Sequence, residues 1–233
     1  MQFLPVNTFR VNIFTFVSND FGIMKIIDTG KSRIIIAPVS PADHIGDLTP
    51  ADRDYLAGVG SQRRREEGAT WRSLVRGESG DVDISYDDTG APVVCGGKWP
   101  YVGISHAGGY VAVIFSFERC AIDMENTERD FSRASSRYIS RAEMNIPGSD
   151  DPLFPAAVWC AKETLYKYSG LKGLDLAGDL RISGVDFDEG EIGGAVLLPD
   201  GRWENHNMGM FFYEGLLIVF LEGSHNLGLA IKE

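Results

Sequence analysis

Residues 101–117 read YVGISHAGGYVAVIFSF, and no other stretch narrows the fold so far. Two β-branched, apolar runs stand with only SHAGG between them, too little chain for a helical crossover, so they must join as a hairpin. Comparable short runs recur along the chain. FRVNIFTFV and SRIIIAPVS fall in the first forty residues, followed by DVDISYD with a turn at DDTGAP, and by CAIDME. LRISGVDFD, GGAVLLPDGRWEN, MGMFFYEGLLIVFLEG and LGLAIKE follow later, with turns at DEGE and PDG. Helices are fewer. TPADRDYLAGVG offers Thr49 as N-cap and Pro50 at the first helical position, and an arginine-rich segment continues as a second helix after GVGS. TERDFSRASSRYIS reads as helical, and a further helix lies between GSDDPLFP and Gly170, with proline and acids at its start and a glycine past its end. Strands and helices mix without a strict βαβ alternation, which predicts an α+β protein. Both halves, 1–115 and 116–233, carry them in similar proportion, which allows two related subdomains.

With 233 residues, 44% of them hydrophobic, the chain has material for a sizeable core. Cys95, Cys120 and Cys160 are odd in number and lack metal-ligand spacing, which predicts reduced thiols in a cytosolic protein. No run is long and apolar enough for a bilayer. The N-terminus MQFLPVNTFRVNIFTFVSND lacks a basic start and a small-residue cleavage site; it reads as a strand, or as an extension before an alternative start at Met24. A cytoplasmic protein, with no membrane partner, is the expectation. The net charge of −11 disfavours nucleic acid as a partner. Arg63, Arg64, Arg65, Arg72 and Arg76 nevertheless crowd into one segment, as a solvated helix face helped by Glu66 and Glu67 or as an anion site.

Three stretches carry residues suited to chemistry. In AIDME, residues 121–125, an extended chain projects Asp123 and Glu125 on the same side. Two adjacent carboxylates repel until a proton or a cation relieves them, and a hard divalent cation such as Mg²⁺ suits oxygen ligands. The plain alternative is a strand end meeting solvent. In ISHAGG, Ser105 and His106 precede two glycines, and this places them at a hairpin tip where a backbone approaches a ligand closely. A Ser–His nucleophile dyad is a poor reading, because adjacent strand residues face opposite ways. In WCAKETLYKYSG, residues 159–170, Glu163 and Lys167 stand four apart on a helix. Such a pair is an ordinary salt bridge worth about 0.2–0.5 kcal/mol, unless the helix packs on the strand that carries Asp123 and Glu125. Three acids and an ammonium would then meet.

These residues, taken together, resemble the 4′-phosphopantetheinyl transferase superfamily, in its larger, single-chain, surfactin-synthetase-activating type. The family pairs a G-[IV]-D-[IVL]-E strand with a [FW]-[SC]-x-K-E-[AS]-x-x-K helix about forty residues on; here they read AIDME and WCAKETLYK. ISHAGG resembles the family's ISHS hairpin, ISRAE at 139–143 its S-x-x-E segment, and the arginine-rich helix its upstream R-x-L helix. The match spans roughly residues 50 to 185. It implies a pseudo-dimeric fold of two similar α+β halves, the first contacting the coenzyme A phosphates and the second holding the metal. The implied reaction moves phosphopantetheine from coenzyme A to a serine of an apo acyl or peptidyl carrier protein and releases adenosine 3′,5′-bisphosphate. By position, Asp123, Glu125 and Glu163 would hold Mg²⁺. Lys167 and Lys162 would add positive charge, and Ser105, His106, Arg64 and Arg72 would meet coenzyme phosphates. Glu163 would take the serine proton, with Glu143 as second candidate.

Four positions depart from the family pattern. Ala121 replaces its first motif glycine, which fits where φ is negative; Thr164 replaces alanine or serine; Ala107 replaces the last serine of ISHS. The family's G-K-P lysine is missing, since Gly90, Ala91 and Pro92 fall in its register, and Lys98 is the candidate to supply that charge. Carriers of this kind are usually acidic, so recognition is expected through a basic or apolar patch. Met208, Met210, Phe211 and Phe212 would serve if exposed, and a buried strand is the preferred reading of them. A single chain with both halves suits a monomer. Two other classes compete: a module of the same fold that binds coenzyme A or a carrier without transfer, and a Mg²⁺-dependent phosphoryl or nucleotide hydrolase. The hydrolase lacks a water-positioning group in the sequence.

Overall fold

A computed structural model describes residues 14–19, 22–88 and 90–223. Two five-stranded antiparallel sheets form the body. The first uses β1 (Phe14–Asn19), β2 (Gly22–Asp28), β3 (Ser32–Pro38), β6 (Tyr101–Ala107) and β7 (Tyr110–Ser116), in the order β1-β2-β3-β7-β6. The second uses β8 (Cys120–Asn126), β9 (Leu180–Asp186), β10 (Glu191–Leu197), β11 (Trp203–Tyr213) and β12 (Leu216–Glu222), in the order β8-β12-β11-β10-β9. A two-stranded ribbon, β4 (Asp83–Tyr86) with β5 (Pro92–Cys95), lies against β6. Three helices, α1 (Pro50–Ala57), α2 (Gln62–Ser79) and α3 (Phe154–Ser169), join them. The α+β class is as predicted.

Strand alternation builds the layers. In β3, Ile34 and Ile36 face the second sheet, while Ile35 and Ala37 face α2 through Trp71, Leu74 and Val75. In β12, Leu216, Ile218 and Phe220 meet the first sheet, while Leu217, Val219 and Leu221 meet α3. The two sheets therefore pack face to face with a helix on each outer side. Burial on both faces explains why IIIA, VAVIF and LLIVFL are continuously apolar rather than alternating. Each large aliphatic side chain so buried contributes about 1.5–3 kcal/mol. On β8, Ile122 and Met124 fill the inter-sheet core. Period two then turns Asp123 and Glu125 toward α3.

Local signals behave as the sequence reads. Thr49 caps α1 in a reciprocal capping box with Asp52, and Pro50 opens the helix. Gly170 ends α3 at φ 65°, a left-handed turn that glycine adopts without strain. The turn of the β6–β7 hairpin is Gly108–Gly109, with φ 56° and 82°. Ser105 and His106 are thus inside β6, opposite Ala112 and Val111, rather than at the tip as predicted.

Other expectations change. TERDFSRASSRYIS forms only a 3₁₀ helix over Ser132–Arg137. Asp130 accepts hydrogen bonds from both the amide and the hydroxyl of Ser132, and the Ser135 hydroxyl donates to the Ser132 carbonyl, so side chains compete with helical bonding. β2 and β5 were not anticipated. FRVNIFTFV is strand from Phe14 onward, its earlier residues and LGLAIKE lying outside the described residues. Met208 and Met210 are buried and Phe211 partly so, while Phe212 is 42% exposed. Among the described residues, no helix is long and apolar enough to cross a membrane.

Candidate active site

The face of β8 that meets α3 gathers the candidate acids. Asp123, 6% exposed, accepts on Oδ1 from Lys167 Nζ at 2.7 Å and from the Ser105 hydroxyl at 3.0 Å. Its other oxygen, Oδ2, is buried without a hydrogen-bond partner. Glu125, two residues on, accepts on Oε1 from Trp159 Nε1 at 2.7 Å, and Arg129 Nη1 lies 3.1 and 3.0 Å from its two oxygens. Glu163 reaches the same neighbourhood from α3. Burial raises the Glu163 pKa, the charges of Asp123 and Glu125 add to the rise, and Lys167 and Arg129 oppose it. Glu125 is raised by burial and by Asp123, against Arg129 and Trp159. Strand β8 and helix α3 thus bring together the three acids and the lysine singled out from sequence.

The donor set suits a hard cation. Three carboxylates supply only oxygen, burial and neighbouring carboxylate charge raise the pKa of Glu125 and of Glu163, and one buried Asp123 oxygen lacks a hydrogen-bond partner. Among the described residues, however, no three histidine, cysteine or carboxylate side chains converge into a ready coordination shell. Lys167 and Arg129 stand on the acids instead.

Beside the acids opens a cleft of about 320 Å³ between the two sheets, lined by Gly90, Pro92, Gly103, Ala121, Ile122, Tyr166, Lys167 and Gly170 among others. Its floor depends on Gly103: a Cβ there would come within 2.8 Å of Ile114 Cγ2 and 3.3 Å of the Ala121 Cα, so only glycine lets β6 approach β8 this closely. Ala121 has no positive φ, and its methyl fits as expected. Lys167 joins the cleft to the acids, since it lines the one and bonds the other. Burial pushes the thiol of Cys120, another wall residue, up to about 12, which leaves it inert.

A family model for the 4′-phosphopantetheinyl transferase superfamily matches residues 119–205, the segment that runs through β8, α3, β9 and β10 into β11. Over that segment the chain is similar to this superfamily. No curated protein matches it. The matched segment contains Asp123, Glu125, Glu143, Lys162, Glu163 and Lys167, whereas Arg64, Arg72, Lys98, Ser105 and His106 precede it.

The structure does not bring every sequence candidate to the cleft. Lys162 is fully buried, its ammonium bonded to Glu143 and to the carbonyls of Tyr138, Leu176 and Leu180 at 2.7–2.9 Å. Glu143, equally buried, also accepts from the amides of Ser140 and Ile182. Neither has a polar atom left for a ligand, so Lys162 as a cofactor contact and Glu143 as a base give way to an internal ion pair. Arg72 is 2% exposed, packed on the rings of Tyr55 and Trp71, 3.2 Å from Asp52 and donating to the Tyr86 hydroxyl. It braces α1, α2 and β4 rather than facing a phosphate. Arg64 is exposed on the first turn of α2. His106 is exposed, 3.5 Å from Glu67, and Ser105 points the other way to Asp123, as strand alternation requires. Lys98 is exposed over the Trp99 ring, outside the cleft.

Sequence reasoning missed three residues here. Trp159 and Arg129 hold Glu125, and Lys172 donates to the Asp88 carbonyl at 2.9 Å, tying the chain after α3 to the turn that carries Gly90 and Pro92. The arginine's E-x-x-x-R spacing from Glu125 was a visible signal. The lysine's contact, 84 residues distant, had none.

Proposed function

We propose that the protein transfers 4′-phosphopantetheine from coenzyme A to a serine of an apo acyl or peptidyl carrier protein, releasing adenosine 3′,5′-bisphosphate. The observation that carries this reading is the buried, unpartnered Asp123 oxygen facing α3 beside a cleft, inside the segment matched to the superfamily. Asp123, Glu125 and Glu163 are the residues to hold Mg²⁺. When bound, the ion neutralises charge on the pyrophosphate oxygens and makes the phosphorus more electrophilic. Lys167 places an ammonium between the acids and the cleft, where it adds to that neutralisation. Ser105 orients Asp123 by its hydroxyl hydrogen bond, and Trp159 orients Glu125 in the same way. Glu163 makes no hydrogen bond or ion pair to another described side chain and is the candidate to accept the serine proton. Arg64 and His106 are the exposed hydrogen-bond-donor candidates for coenzyme phosphates on the first half.

The strand orders support a pseudo-dimeric reading of the larger, single-chain type. If β1 and β2 are set aside and the ribbon is counted with the sheet it lies against, the first half reads β3-β7-β6-β5-β4 and the second β8-β12-β11-β10-β9, with α1 and α2 after the first strand of one and α3 after the first strand of the other. We place the boundary between halves at residues 117–119, between the end of β7 and the start of β8, slightly beyond the 115/116 division expected from sequence.

The test is the intact mass of an apo acyl carrier protein after incubation with this protein, coenzyme A and Mg²⁺. We expect a gain of one phosphopantetheine, absent with EDTA and absent with Glu163→Ala. Coenzyme A binding without any gain, across several carriers, would favour the non-transferring binding module instead.

A further inference from the structure

Arg129 brings a positive charge to the acids from outside β8 and α3. It stands just past β8, four residues beyond Glu125, with Nη1 3.1 and 3.0 Å from the two carboxylate oxygens. Its guanidinium lies 4.8 Å from the Phe131 ring centre and 5.6 Å from that of Trp159. Trp159 also donates to Glu125 Oε1, so both oxygens of this carboxylate are engaged. A cation coordinated by Glu125 must take an oxygen that Arg129 now contacts. The two positive groups repel each other at such a distance, so they compete for the same carboxylate.

The side chain is free to leave. Arg129 is 55% exposed whereas Glu125 is 15% exposed, and the two aromatic rings offer the guanidinium a resting surface. Lys167 differs: it is only 35% exposed and its ammonium also holds the Ile122 carbonyl at 3.1 Å, which anchors it beside the cleft.

We propose that Arg129 is a built-in counter-ion of the acid cluster, which neutralises Glu125 before a divalent cation binds and swings aside when one does. Arg129 thereby weakens the metal affinity of the free protein and keeps the buried acids from standing uncompensated. It acts on the metal through Glu125 and is a positioning residue. The inference rests on the metal reading above, and its test must separate the two.

The experiment is calorimetric titration of the full chain with Mn²⁺ alone, checked by the electron paramagnetic resonance signal of free Mn²⁺, for wild type, Arg129→Gln, Arg129→Lys and Asp123→Asn. We expect Arg129→Gln to bind about tenfold more tightly than wild type, the order expected for removing one nearby unit charge in a partly exposed site. Arg129→Lys, which keeps the charge, should stay within about threefold of wild type, and Asp123→Asn should lose binding. Equal or weaker binding by Arg129→Gln, with wild type binding Mn²⁺, overturns the counter-ion role and leaves the metal reading standing. Binding by neither wild type nor Arg129→Gln overturns the metal reading and this inference together. A structural role alone would lower the thermal midpoint of Arg129→Gln without tightening Mn²⁺.

Discussion

Helix α3 carries two lysine–carboxylate pairs five residues apart, and they are built differently. Lys162 and Glu143 form a closed pair: both are buried, three carbonyls also accept from the ammonium, and two amides also donate to the carboxylate. Lys167 and Asp123 form an open pair: the lysine is a third exposed at a cleft wall and one aspartate oxygen is buried with no partner. The first arrangement locks β9 and the loop before α3 onto the helix. The second leaves bonding capacity unspent at the edge of a cavity. Saturation separates a scaffold ion pair from a candidate catalytic one, although both read as K-x-x-x-x-K on the same helix.

The largest effect should come from breaking the closed pair on one side. Lys162→Met leaves the Glu143 carboxylate buried and uncompensated, which costs about 3–5 kcal/mol. Urea unfolding should show that loss, and the double variant Lys162→Met/Glu143→Leu should recover most of it. Little stability should hang on the open pair. Lys167→Ala is expected to cost about 1 kcal/mol or less, because the ammonium is partly solvated, while transfer to a carrier falls by more than tenfold. A stability loss comparable with that of Lys162→Met would erase the distinction.

Much of this contrast was legible in the sequence, and the part that was not has a physical reason. Period two placed Asp123 and Glu125 on one side of β8, and the capping residues Thr49, Pro50 and Gly170 fixed helix ends, because these features depend on neighbours in the chain. Whether Lys162 or Lys167 faces the cleft depends on which side of α3 meets Tyr138, Leu176 and Leu180, partners 14 to 24 residues away. Arg72 failed for the same reason. Its arginine-rich segment suggested an anion site, but the α1–α2 packing buries that one position against Tyr55 and Asp52. The run 127–140 misled because helical spacing says nothing about serine and aspartate side chains competing for the backbone.

A smaller effect follows from the crowded acids. Glu163→Gln should abolish transfer yet raise stability by about 0.5–1 kcal/mol near neutral pH, since it removes one charge from a repelling group. The pH dependence has a definite sign. The folded-state pKa of Glu163 lies above its ordinary value of 4.5, so the native state retains the proton longer than the unfolded chain. Stability therefore declines as pH rises through the window that starts near 4.5 and extends upward to the raised value. The gap between Glu163→Gln and wild type should accordingly widen with pH across that window and narrow when Mg²⁺ is added. A gap that shrinks with rising pH in metal-free buffer would show that Glu163 is stabilised as a carboxylate in the fold.

The most direct measurement compares single-turnover transfer to an apo carrier protein by two folded variants, Lys162→Met/Glu143→Leu and Glu163→Gln. If the closed pair is scaffold and the open cluster is the catalytic centre, the double variant transfers phosphopantetheine within about tenfold of wild type, a change of about 1.4 kcal/mol in the barrier, and Glu163→Gln leaves the carrier mass unchanged. Transfer that survives Glu163→Gln but vanishes in a folded Lys162→Met/Glu143→Leu variant would contradict the account and move the chemistry to the buried pair.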